Sequence, residues 1–94
     1  MHTIWRVVRE SPLLWRAWEG EIVVYNDASG DTDHLDPLAA EIFETLLEAP
    51  ANNDELTDRI AQALGVEKTT DLRDTVASVV IRFHGHGLIE PVEE

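Results

Sequence analysis

Apolar positions along this chain recur first with a period of two and then with a period between three and four. Leu13 to Trp18 and Glu21 to Tyr25 are rich in aromatic and β-branched residues, the composition of half-buried strands. Only Glu19-Gly20 separates them, and Gly20 supplies the positive φ that a tight hairpin turn requires. Asn26 to Asp31 is dense in residues that hydrogen-bond their own backbone, which predicts a longer turn. A short third strand then runs from Thr32 to Leu35. Trp15 and Trp18 have opposite parity, so a regular pleat puts them on opposite faces, and one of them is partly exposed or covered by the N-terminal arm.

The period changes at Asp36, a good helix cap, with Pro37 suited to the first helical position. Leu38, Ala39, Ile42, Phe43, Leu46 and Leu47 form one apolar stripe, Glu41, Glu44 and Glu48 lie opposite, and Pro50 stops the helix. Asn52 with Glu55 resembles a capping box for a second helix with the stripe Leu56, Ile60 and Leu64, ended by Gly65. The third helix is predicted from about Thr70 to about His84, with Leu72, Val76, Val79, Val80 and Phe83 inward and Gly85 and Gly87 at its end. Leu88-Ile89 reads as a short returning strand or a cover. The predicted class is α+β and winged-helix-like, a three-stranded antiparallel sheet followed by three helices. Residues 13–90 make the domain, 91–94 a tail, and 1–12 an arm that is either loose or an extra strand.

The third helix has more apolar surface than a core stripe needs. At about 100° per residue, Arg73, Ala77 and His84 fall on one flank, with Ile81 beyond them. The apolar arc then spans roughly 200°, where a surface helix needs a little over 100°. Two readings stay open: deeper burial, or one wall of a groove that receives a partner.

Composition narrows the function. The 94 residues, 44% hydrophobic and 28% charged, suit one soluble domain. No apolar run approaches the roughly 20 residues of a membrane span, and no signal-peptide core follows Met1. Cysteine is absent, so there is no thiol nucleophile or Cys-based metal site. A cytoplasmic protein without a membrane partner is expected.

Net charge is -12, with residues 1–20 slightly basic and residues 21–94 holding four cations against seventeen acids. Duplex binding relies on Lys and Arg to neutralise phosphates, so a nucleic-acid role is not expected. Nor is catalysis, since phosphate loop and nucleophile elbow are both missing. His84 and His86 form a local pair with His34 as a candidate third member, yet a zinc site usually wants four placed ligands, so neither metal nor cofactor is expected.

Leu35-Asp36-Pro37-Leu38-Ala39-Ala40-Glu41-Ile42-Phe43 resembles the PqqD family, small peptide chaperones of pyrroloquinoline quinone biosynthesis and their relatives. Asn53-Asp54-Glu55-Leu56-Thr57-Asp58-Arg59-Ile60 resembles that family's second helix and Gly87-Leu88-Ile89 its ending, so the likeness covers about residues 13–90. Ser29-Gly30-Asp31-Thr32 and the Trp-rich strand pair are similar to the branch called the HPr-rel-A system. The resemblance implies a domain whose third strand takes up a precursor's leader as an added strand. That domain presents the leader to a modifying enzyme, often a radical SAM enzyme. Carried onto this chain, the implied peptide-binding residues are Asp31, Thr32, Asp33, His34 and Leu35 on the strand and Arg73, Ala77, Val80 and His84 on the helix.

The expected function is therefore a non-catalytic peptide adaptor, monomeric or homodimeric. The acidic body suits a partner bearing Lys or Arg. The alternative is a module that docks directly on an operon-encoded kinase-like or radical SAM enzyme without clamping a peptide.

Overall fold

In the computed structural model, which describes residues 3–8, 13–27 and 29–92, the elements run β1 (Trp5–Val7), β2 (Leu13–Trp18), β3 (Glu21–Asn26), β4 (Asp31–Leu35), α1 (Pro37–Glu48), α2 (Asn53–Leu64), α3 (Thr70–Gly85) and β5 (Ile89–Pro91). β2, β3 and β4 form an antiparallel sheet in that order, and β1 pairs with β5 in a second, two-stranded one. The fold class is thus the expected one, with a small extra sheet. Glu19 and Gly20 both take positive φ, 47° and 78°. That conformation matches the twist of a two-residue hairpin and fixes the register Leu13↔Asn26 through Trp18↔Glu21.

The helices start where their caps place them. The Asp36 carboxylate accepts the Ala39 N–H at 2.8 Å, with Pro37 next in the chain. Asn52 and Glu55 complete the capping box in both directions, at 2.8 and 3.1 Å. Thr69 caps α3 by accepting the Leu72 N–H at 3.1 Å, a hydroxyl that the helical pattern from Thr70 onward does not reveal. Between α2 and α3, the Lys68 ammonium lies 2.9 Å from both Asp54 and Asp58. Hydrogen bonding to the Asp54 carboxylate first, and to Asp58 second, raises its pKa above the ordinary lysine range.

Ile22, Val24 and Leu35 of the sheet meet Ile42, Phe43 and Leu46 of α1, Leu56 and Ile60 of α2, and Val76, Val80 and Phe83 of α3 in one buried core. Phe43 is its hub, edge-on to Phe83 at 6.1 Å and to Trp15 at 5.7 Å between ring centroids.

Part of the expected N-terminal arm is an integral strand. β1 pairs Trp5↔Pro91, Arg6↔Glu90 and Val7↔Ile89, bridges to Ala51 between α1 and α2, and buries Val7. Leu88 and Ile89, left open as strand or cover, are both buried, and Ile89 begins β5. Residues 1, 2 and 9–12 of the expected arm, and 93–94 of the expected tail, lie outside the described residues. No described helix is long and apolar enough to cross a membrane.

Candidate functional site

A strand at the edge of a sheet presents a row of unpaired backbone groups, so the free edges are where an extended segment can add. The order β2-β3-β4 leaves two of them, on β2 and on β4. Within 8 Å between Cα atoms β4 approaches β3 and α1, and no Cα of α3, β1 or β5 comes that near. The edge of β4 is open along its length among the described elements.

One point ties that edge to the third helix. His86, the residue capping α3, sets Nδ1 2.6 Å from Oδ1 of Asp33, whose side chain is only 13% exposed. Asn26, buried at the end of β3, reinforces the same corner. Its amide donates to the His86 carbonyl at 3.5 Å and its side-chain oxygen accepts the Ser29 N–H at 3.4 Å. β4 and the end of α3 are therefore clasped at this corner.

Pairing places the β4 side chains on two faces. Residues directly opposite in an antiparallel ladder share a face, and successive residues alternate. Leu35 pairs with Ile22 and Asp33 with Val24, so both point inward, and Leu35 is buried. His34 opposite Val23 and Thr32 opposite Tyr25 point outward and are exposed. Asp31, opposite Asn26, is exposed at the turn.

On α3, Val80 is buried in the core and Ala77 is half-buried. Arg73 reaches Asp54 of α2 at 3.4 Å. His84 lies with its ring centroid 4.8 Å from that of Trp5 on β1. The contacts of Arg73 and His84 thus run to α2 and β1. Ile81, at the far side of the broad apolar arc, is 73% exposed.

The outer face of the sheet carries a further apolar surface. Leu14 is paired with Tyr25, Arg16 with Val23 and Trp18 with Glu21, and the large apolar side chains among them, Leu14, Trp18 and Tyr25, are exposed. Trp15 takes the opposite face, over Phe43, as its parity requires. Among the described residues no three His, Cys, Asp or Glu side chains converge as metal ligands; His86 is turned to Asp33 instead.

Two parts of the corner escaped the sequence reading. Asn26 continues the inward parity of Ile22 and Val24 on β3, so a polar residue on an apolar face was the available signal. The His86–Asp33 contact had none, since 53 residues separate the partners.

The family model for Coenzyme PQQ synthesis protein D (PqqD) matches residues 21–89, the span from β3 to the first residue of β5. The chain belongs to the PqqD family. The match to PqqD takes in β4, all three helices and the clasp, and leaves β1 and β2 outside. No curated protein matches the chain. Among solved structures, this PqqD-family chain is similar to TbiB1, determined in complex with the TbiA(beta) leader peptide, with a TM-score of 0.76 over 95% of this chain and 99% of that one. At 16% identity the likeness is one of fold.

Proposed function

We propose that the protein is a non-catalytic recognition domain that takes up an extended segment of a precursor peptide as a strand on the edge of β4 and presents it to a modifying enzyme. One observation carries the reading: β4 has a free edge, and the His86–Asp33 contact ties that strand to the end of α3. Backbone hydrogen bonds to such an edge give general affinity, and the side chains beside it select the sequence. Membership of the PqqD family and the leader peptide bound by TbiB1 support the same reading.

Asp31, Thr32, Asp33, His34 and Leu35 supply the edge in this proposal. For the helical wall, the directions of Arg73 and His84 toward α2 and β1 favour the other flank of α3. At about 100° per residue, Val79 and Arg82 lie on that other flank, the side from which His86 reaches Asp33. Both are partly exposed. Ala77 and Val80 then support the wall from behind and beneath it.

The exposed outer sheet face, with Leu14, Trp18 and Tyr25, favours a second reading, in which an enzyme docks there directly and no peptide is held. An amide-shift titration of isotope-labelled protein with the leader of a precursor encoded beside its gene separates the two. Shifts concentrated in β4, Val79 and Arg82 are expected. Shifts that miss both β4 and α3 would refute strand addition, and an enzyme partner perturbing β2 and β3 without any peptide would establish the second reading.

A further inference from the structure

The register of the sheet orders its outer face into rows. Leu14, Tyr25 and Thr32 form one, and Arg16, Val23 and His34 the next. Trp18 and Glu21 begin a third, and one more step of the β3–β4 register brings Asp36 opposite Glu21. A strand added to β4 continues every row by one residue, because directly opposed residues share a face.

The third row is a recess. A cleft of about 180 Å³ opens there, lined by Trp18 and Glu21 at one end, Val23 and His34 at its side, and Asp36 at the end nearest the free edge. Trp18 is 46% exposed. Glu21 has no ion-pair partner among the described residues, and neither has Asp36, whose Oδ1 accepts the Ala39 N–H. Arg16, the cation of the neighbouring row, forms no ion pair with either.

We infer that this cleft is a subsite for one Lys or Arg side chain of the bound peptide, and the inference rests on strand addition at β4. Each element of the cleft fits a long cation. From an added strand the cleft lies across β4, so its occupant must span more than one strand spacing of about 4.8 Å. Lys and Arg have that reach and can lay their methylenes on apolar surface while the charged head stays solvated. Val23 and the Trp18 ring offer that surface, an indole face attracts a cation, and two carboxylates border it. A short or acidic side chain would leave the carboxylates unpaired or repelled. The net charge of -12 draws the same kind of segment from a distance.

The test is a selection from a randomised linear peptide library displayed on phage. Binders of the unmodified protein should carry Lys or Arg at one fixed position. The double variant Glu21→Gln/Asp36→Asn should bind them about tenfold more weakly and select no basic residue there, as loss of two exposed ion pairs near the upper end of their usual worth predicts. Asn caps a helix as well as Asp does, so α1 is kept. A melting temperature equal to that of the parent confirms that the fold is intact. Amide shifts then separate the two levels of the proposal. Binders that shift β4 but show no basic position, or keep it against the double variant, overturn the subsite and leave strand addition standing. If nothing selected shifts β4, both fall.

Discussion

Gly87 shows how one residue can set the geometry of the clasp. Its φ is +74°, in the left-handed region, and an added Cβ would meet the Asn26 side-chain nitrogen at 3.3 Å. Any other residue there meets both backbone strain and the amide that holds the His86 carbonyl. Gly85, two positions earlier, ends α3 at an ordinary φ with open space around an added Cβ. Alanine substitutions at these two glycines should therefore have opposite signs. Gly87→Ala should cost about 1–2 kcal/mol, and Gly85→Ala should gain about 0.5 kcal/mol by restricting the unfolded chain. Thermal melts of the two variants check this directly. Equal shifts would mean that the turn after α3 tolerates a side chain and that Asn26 does not depend on it.

At the scale of elements, the long-range side-chain contact between Asp33 of β4 and His86, the cap of α3, ties two elements that the chain order keeps far apart. His86→Ala removes the 2.6 Å partner of a mostly buried Asp33 carboxylate. A loss of about 1 kcal/mol is expected, the usual worth of such a bond together with the desolvated group it leaves behind. Hydrogen exchange should quicken at Asp31–Asp33 and hardly change in α1, whose cap and core contacts are untouched. Exchange that rises equally in α1 would show global weakening in place of local opening. This contact also marks where sequence reasoning stops. Helix starts were legible because Asp36 and Asn52 announce themselves locally, and β4 was placed to within a residue by the turn before it and the cap after it. The pairing of β1 with β5 was not legible, because two three-residue strands over 80 positions apart carry no local signal. Helical periodicity showed that α3 has a broad apolar arc with Arg73 and His84 on one flank. It cannot show which neighbour each flank faces, and the directions toward α2 and β1 come from tertiary contacts alone.

For the whole molecule, the charge of -12 acts on folding and on binding with opposite signs. Surplus carboxylates repel one another in the compact state, which lowers stability at low ionic strength. The same surplus attracts a basic segment and speeds its encounter. Salt screens both, since the Debye length falls from about 30 Å at 0.01 M to about 10 Å at 0.1 M. Raising sodium chloride across that range should therefore raise the melting temperature of the free protein while weakening its hold on a Lys- or Arg-bearing peptide. Parallel melts and titrations in one salt series measure the two responses. For the Glu21→Gln/Asp36→Asn variant the binding response should flatten, because two carboxylates closest to the proposed cation are gone, while the stabilising response changes little among the many acids that remain. A peptide affinity indifferent to salt in the parent protein would place its recognition in the backbone pairing of β4 alone. The acidic surface would then have no part in choosing the partner.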